Sequence, residues 1–138
     1  MAATGRQGSR RLLVQALYQH QLAGHEADEL LAQFGSQPDF QSLDGEYFRQ
    51  LLVHIVNDKS TLDGLIAQHA DRPLSQLDPV EHGILWLGMA ELLWRPDVPV
   101  RVVITEAVQL ARQFGAQDGH RYINALLDRA AAVVRAVG

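Results

Sequence analysis

The residues best suited to binding chemistry lie in a basic stretch at the start of the chain. Gly5–Gln21 holds Arg6, Arg10 and Arg11 and contains no acid. Guanidinium groups carry planar, paired donors that fit phosphate oxygens, and the ring of Tyr18 offers a face on which an unpaired base can stack. The pattern favours a phosphate-bearing ligand. A solvated helix start with an aromatic at the rim of the core explains it equally well.

Helical spacing brings part of this stretch onto one side. Ser9 is the predicted N-cap, and Arg11, Gln15 and Tyr18 follow at i, i+4 and i+7. Two polar side chains and an aromatic therefore share one side of the predicted helix. An export signal is not expected, because Gln15, Gln19 and neighbouring polar residues interrupt the apolar run that such a signal requires.

A second polar cluster, over residues 115–122, opens the last predicted helix. Asp118 is the predicted N-cap, Arg121 adds a positive charge, and Tyr122 adds a second stacking face. Free backbone N–H groups at a helix N-terminus favour an anion such as phosphate. From the pattern alone, an ordinary capped helix with Tyr122 in the core is an open alternative.

The distribution of charge sets the basic stretch apart from the rest of the chain. The chain has 138 residues and a formal net charge of −4, yet its first acid is Glu26. A local basic segment on an acidic protein attracts a polyanion without making the whole surface bind one. The chain has no cysteine, which excludes disulfides, thiolate metal sites and thiol catalysis. No apolar run approaches the ~20 residues of a membrane span.

The sequence gives little support to an enzyme. His54 and Asp58 have the spacing of a helical metal-ligand pair, but no second pair joins them, so neither a metal site nor a cofactor is expected. The glycine-rich phosphate loop of nucleotide-binding enzymes and the Gly-x-Ser-x-Gly elbow of hydrolases are both missing. The prediction is a binding protein without catalytic residues.

The apolar pattern predicts about seven helices joined by short loops. Asp44 is predicted to cap one helix, and a break is expected near 58–60. Asp78 followed by Pro79 predicts the start of a helix over 79–94, which is apolar nearly all round and should be central. Further predicted helices cover residues 25–34 and about 119–136.

One segment is locally ambiguous between strand and helix. Val100–Thr105 has strand propensity, yet Val103, Ala107 and Leu110 keep helical spacing. Pro99 and Gly115 bound the segment in the way that a helix start and stop do. A helix is therefore predicted.

Several short motifs are spread over nearly the full length of the chain. They are Arg10-Arg11 with Val14-Gln15-Ala16-Leu17-Tyr18-Gln19, Tyr47-Phe48-Arg49, Leu62-Asp63-Gly64-Leu65, Val80-Glu81, Ala90-Glu91-Leu92, Asp97-Val98-Pro99, Val103-Ile104-Thr105-Glu106-Ala107-Val108 and Tyr122-Ile123-Asn124-Ala125-Leu126-Leu127-Asp128. Their order and spacing resemble the NusB family of bacterial transcription antitermination factors. Two positions depart from the family pattern. Thr105 stands where Asn is usual, and Ala125 stands where Gly is usual and is expected to change local helix packing slightly.

The resemblance implies a fold and a function. The fold is all-α, with about seven helices in two packed bundles. It forms a single domain over 1–138, with an N-terminal subdomain at about 1–58 and a C-terminal subdomain at about 59–138. The function is that of a cytoplasmic, non-enzymatic antitermination factor. It binds the boxA element of ribosomal RNA leaders jointly with NusE, a small-subunit ribosomal protein, and joins other Nus factors on elongating RNA polymerase.

The resemblance also implies particular contact residues. The RNA-binding residues are Arg6, Arg10, Arg11, Gln15, Tyr18, Asp118, Arg121 and Tyr122. The protein partner uses Glu81, His82 and Leu85, on a helix whose exposed acids would suit a basic ribosomal protein.

A second function class shares this module. Similar helical domains are fused to ribosomal RNA cytosine methyltransferases, so a stand-alone RNA-targeting module is the alternative. The free protein is expected to be a monomer or a homodimer.

Overall fold

The computed structural model describes residues 5–136, so the two ends of the predicted domain, 1–4 and 137–138, lie outside it. The described residues form seven α-helices: α1 (Gly5–Ala23), α2 (Ala27–Gly35), α3 (Gly45–Asn57), α4 (Lys59–His69), α5 (Pro79–Trp94), α6 (Val100–Phe114) and α7 (Gly119–Val134). Two short 3-10 helices cover Pro38–Ser42 and Leu74–Gln76, and no strand occurs in this part of the chain. The all-α prediction is confirmed, including a helix at α6.

No helix between residues 5 and 136 is both long enough and apolar enough to cross a membrane.

The chain divides after Asn57 into two compact units. In the N-terminal unit, α1, α2 and α3 pack against one another. The ring of Phe48, on α3, lies 6.2 Å from that of Phe34 on α2 and 5.7 Å from that of Phe40 in the first 3-10 helix. These aromatic contacts, together with fully buried leucines such as Leu13 and Leu52, form the core of this unit.

In the C-terminal unit, α5 is the central helix and contacts α4, α6 and α7. Every residue from Gly83 to Leu92 is buried, as its nearly continuous apolar sequence predicts. Gly88 permits a close approach of α7, because a Cβ at this position would stand 2.8 Å from the Cδ1 atom of Leu127. A side chain at position 88 would require the Leu127 side chain to move.

The predicted start of α1 is wrong by one turn. The helix begins at Gly5, and Ser9 is fully buried inside it rather than capping it. The Ser9 hydroxyl lies 2.7 Å from the carbonyl oxygen of Asp44 and 3.1 Å from that of Gly5, one turn back in the same helix. The serine therefore ties the start of α1 to the start of α3, a partner that local sequence cannot indicate.

Two other helix starts follow the sequence prediction. The backbone N–H of Tyr47 donates to Asp44 Oδ1 at 3.1 Å, and that of Glu81 donates to Asp78 Oδ1 at 2.9 Å. The expected break lies at Asp58, between the end of α3 and the start of α4. Both capping signals are local, since each aspartate side chain and the N–H that it satisfies are three residues apart.

The C-terminal end of α5 is satisfied by one arginine. Arg135, just after α7, donates from Nε to the carbonyl oxygen of Leu92 at 2.6 Å. Its Nη2 group lies 3.0, 2.9 and 3.0 Å from the carbonyl oxygens of Glu91, Arg95 and Val98. The last carbonyls of a helix have no partner within the helix, so this guanidinium supplies hydrogen bonds that α5 itself cannot make.

A polar cluster joins α4 to α5. Asp63 Oδ1 accepts hydrogen bonds from His82 Nε2 at 2.6 Å and from Trp86 Nε1 at 2.8 Å. The centres of the His82 and Trp86 rings lie 4.4 Å apart. Burial by itself raises the pKa of Asp63, but the two hydrogen bonds and the nearby charges of His82 and Lys59 together outweigh it, and the net pKa lies below its ordinary value. The ionised carboxylate is thus the form that stabilises this contact.

We expect Arg135→Lys to lower the free energy of unfolding by about 1.5–3 kcal/mol, since charged donors to buried carbonyls are lost. A lysine carries its donors on one nitrogen and cannot span four carbonyl oxygens. Urea unfolding monitored by circular dichroism measures the effect. Arg112→Lys, at an exposed position of α6, is the matched control, and equal midpoints for the two variants would contradict the capping role of Arg135.

The Asp63 cluster predicts a specific pH dependence. A carboxyl whose folded pKa is lowered adds stability that is present above its unfolded pKa and is lost as pH falls through the folded pKa. Asp63→Asn should therefore destabilise the protein by about 1 kcal/mol at pH 7, with the difference from the parent shrinking below about pH 4. Thermal melts between pH 3 and 7 test this, with Asp128→Asn on the exposed side of α7 as control. A constant difference across that range would exclude Asp63 as its source.

Candidate nucleic-acid interface

One face of α1 presents the side chains that the sequence groups together. Gln15 and Tyr18 are exposed, with 41% of the tyrosine accessible, and Arg11 is half-exposed. Within residues 5–136 the Arg11 guanidinium has no hydrogen-bond or ion-pair partner. The exposed Leu22 extends this face by one more turn. An accessible arginine, an amide and an aromatic ring thus lie along one side of a single helix.

The other two arginines of the basic stretch have partners inside the N-terminal unit. The Cζ atom of Arg6 lies 4.3 Å from the centre of the Tyr47 ring, and that of Arg10 lies 5.6 Å from it. Arg6 also approaches Asp44, with 3.6 Å between Nε and Oδ2, whereas Arg10 is only 5% exposed. Arg10 therefore helps to hold α1 against α3, and the RNA contact predicted for it would require a change of conformation.

The start of α7 presents a second set of charges. Asp118 occupies the N-cap position of α7 as predicted, but it has a positive φ of 69° and its side chain makes no capping hydrogen bond. Its carboxylate lies 3.8 Å from Nε of Arg121, and 80% of the Arg121 side chain is exposed. Aspartate tolerates this left-handed backbone better than most residues, and its side chain consequently points to solvent instead of to the helix N–H groups.

Tyr122 is half-buried, and one face of its ring is already covered. The Cζ atom of Arg72 lies 4.0 Å from the ring centre. The tyrosine hydroxyl is buried and finds no hydrogen-bond partner among the described residues. Sequence analysis missed Arg72 because it lies 50 residues before Tyr122, in the loop between α4 and α5, and no spacing rule connects the two.

Glu81 is buried, in contrast to its expected place near the surface. It is 5% exposed, and a Cβ on Gly119, at the start of α7, would collide with its carboxylate. Burial raises the pKa of the Glu81 carboxyl, the negative charge of Asp78 raises it further, and Arg72 opposes this with a smaller effect. Glu81 therefore links the starts of α5 and α7 and is not an exposed contact residue.

The remaining predicted partner residues are also mostly covered. Leu85 is fully buried, and His82 is half-buried and bonded to Asp63. The second acid of α5, Glu91, is 1% exposed. The expectation of exposed acids on this helix is therefore wrong, because both of its acids lie on buried faces.

The two departures from the family pattern lie at the surface. Thr105 and Ala125 are both exposed. Because Ala125 is exposed, it does not alter the buried packing between helices, and the expected change in helix packing is wrong.

Within residues 5–136 no group of three or more His, Cys, Asp or Glu side chains has the arrangement of a metal site.

Comparison with known proteins gives a consistent family assignment. A model of the NusB family matches residues 7–132. Transcription antitermination protein NusB of Pseudomonas savastanoi pv. phaseolicola is 43% identical over 132 residues, covering 96% of this chain and 80% of that protein. The protein of the same name from Shewanella pealeana is 42% identical, covering 96% of this chain and 98% of its own length. These are names of antitermination factors and not of enzymes.

Solved structures agree with the sequence matches. The structure of T. maritima NusB has a TM-score of 0.82 and 26% identity, and the match covers 96% of this chain and 94% of that chain. The family match spans most of the chain, and the two relatives above share more than two fifths of its residues. The chain belongs to the NusB family.

Proposed function

We propose that this chain is a cytoplasmic transcription antitermination factor that binds boxA RNA jointly with NusE and joins other Nus factors on elongating RNA polymerase. The names of its relatives support the antitermination role. The family resemblance supplies boxA, NusE and the polymerase. The observation that carries the RNA-binding part is the exposed face of α1, where Arg11 has no partner within the described residues.

The α1 face has the chemistry of a single-strand RNA contact. Arg11 supplies a guanidinium for a phosphate, and Gln15, which can both donate and accept, supplies an amide for a base edge. The exposed ring of Tyr18 supplies a surface for an unpaired base. Phosphate contacts set affinity and register, whereas contacts with bases give selectivity for boxA.

The start of α7 adds a second contact in this proposal. Arg121 is largely exposed, and among the described residues its one charged partner is Asp118, at 3.8 Å. That separation is too long for a hydrogen bond, so a phosphate oxygen competes readily with the aspartate for Arg121. Asp118 opposes the approach of RNA by its charge, which limits nonspecific binding.

The proposed protein partner binds at the start of α5. Of the three residues predicted to contact it, His82 is the accessible one, beside the half-buried Pro79 and Val80. Glu81 and Leu85 support this surface from beneath, as their burial requires. Binding of a basic protein would then depend on acids outside α5.

The decisive experiment measures RNA binding with and without NusE. Fluorescence anisotropy with a short boxA RNA and a scrambled RNA of the same composition should show preference for boxA and tighter binding when NusE is present. Equal binding to both RNAs, unaffected by NusE, would favour the stand-alone RNA-targeting module instead. No binding to either RNA would reject both functions.

Two substitutions on α1 should separate charge from stacking. Arg11→Ala should reduce the slope of log affinity against log salt by about 0.7, because one phosphate contact to a single strand is lost. Tyr18→Ala should cost about 1–3 kcal/mol of binding free energy with little change in slope, through lost stacking. Tyr18→Phe, which keeps the ring, and Arg101→Ala, on α6, are the controls. Equal slopes for Arg11→Ala and the parent would remove Arg11 from the interface.

A further inference from the structure

The loop between α4 and α5 is fastened to α7 in two directions. From α7, Arg129 donates to the carbonyl oxygen of His69 at the end of α4, at 3.2 Å from Nε and 2.5 Å from Nη2. From the loop, Arg72 reaches back over the ring of Tyr122 on α7. The short 3-10 helix Leu74–Gln76 follows directly and stiffens the loop. Arg72 is therefore held at a defined place near the start of α7.

The contact with Tyr122 leaves the polar atoms of Arg72 unused. A cation–π contact uses the face of the guanidinium, and here Cζ lies 4.0 Å from the ring centre. Within residues 5–136 no hydrogen bond and no ion pair is made by the Arg72 side chain, which belongs to an exposed residue. Its N–H donors, which lie in the plane of the group, are thus available to a ligand.

A purely internal role for the charge of Arg72 is a poor explanation. Arg72 acts on the buried Glu81 carboxyl, but of the four effects on the pKa of that group its effect is the smallest. The pKa of Glu81 nevertheless lies above its ordinary value, so Arg72 does not stabilise the ionised form enough to pair with it. The positive charge of Arg72 consequently remains accessible to solvent. It lies over Tyr122, the residue after Arg121.

We propose that Arg72 is an RNA phosphate ligand, which Tyr122 orients by holding the face of the guanidinium while the edge binds phosphate. The inference rests on the proposed RNA-binding function and extends it to a residue outside both sequence clusters. It also changes the role of Tyr122, whose ring serves Arg72 instead of stacking directly on a base.

The test uses the full chain and two RNA probes, a boxA RNA and a twelve-nucleotide uridine homopolymer, over a range of salt concentrations. Arg72→Ala should lower the salt slope by about 0.7 for both probes. If the parent and the variant bind equally at 1 M salt, this difference in slope makes the variant bind about fivefold more weakly than the parent at 0.1 M salt. Arg72→Lys should keep the slope and recover only part of the affinity, because a point charge lacks the planar donors that the ring orients.

Two further variants distinguish orientation from folding. Tyr122→Leu should weaken binding while leaving the slope intact, because the charge stays but is no longer oriented. Arg101→Ala, an exposed arginine on α6, should change neither affinity nor slope. Circular dichroism melts of every variant report whether the fold is retained. Loss of one exposed cation–π contact predicts only a small decrease in melting temperature for Arg72→Ala.

The results divide cleanly between the two proposals. Parent-like affinity and slope for a folded Arg72→Ala, while Arg11→Ala still weakens binding, would overturn the role of Arg72 and leave RNA binding standing. Tighter binding by Arg72→Ala would also overturn it, because Arg72 would then be blocking the Tyr122 ring. Absence of RNA binding by the parent chain would overturn both.

Discussion

The need to cover α5 on every side organises the C-terminal unit. A helix that is apolar nearly all round, such as α5, is not stable when exposed to water. The helices α4, α6 and α7 therefore enclose it. Enclosure in turn leaves the two ends of α5 to be satisfied. Asp78 caps one end, and Arg135 supplies the other with hydrogen bonds from outside the helix. The absence of a side chain at Gly88 leaves room for the Leu127 side chain of α7.

The position of α7 determines what its first turn can offer to a ligand. Glu81 fills the space against Gly119, which leaves Asp118 and Arg121 facing solvent. The burial of Glu81 is unfavourable for an ionised carboxylate, and its raised pKa records that cost. We regard the unfavourable burial of Glu81 as the consequence of packing the starts of α5 and α7 together. The start of α5 is proposed to bind a protein, and the start of α7 is proposed to bind RNA.

The sequence predicted the features that depend on neighbours in the chain. Helix periodicity, the caps at Asp44 and Asp78 and the central place of α5 all follow from residues within about one or two turns of each other. The predicted cap at Ser9 is wrong, because its hydroxyl donates to the carbonyl oxygen of Asp44, at the start of α3. Asp118 stands at the predicted N-cap position, but its left-handed backbone accompanies the loss of the capping hydrogen bond. For the same reason, nothing in the pattern of arginines distinguishes the buried Arg10 from the accessible Arg11.

The hydrogen bonds from Arg135 have a consequence for the co-translational folding of the protein. The 41 residues from Arg95 to Arg135 must be made after α5 before its last carbonyls can be covered. At about 5–20 residues per second, a helix that is apolar nearly all round waits about 2–8 s for α6, α7 and Arg135 to be made. Apolar surface exposed during that interval is prone to aggregation, and the C-terminal unit closes only as α7 emerges.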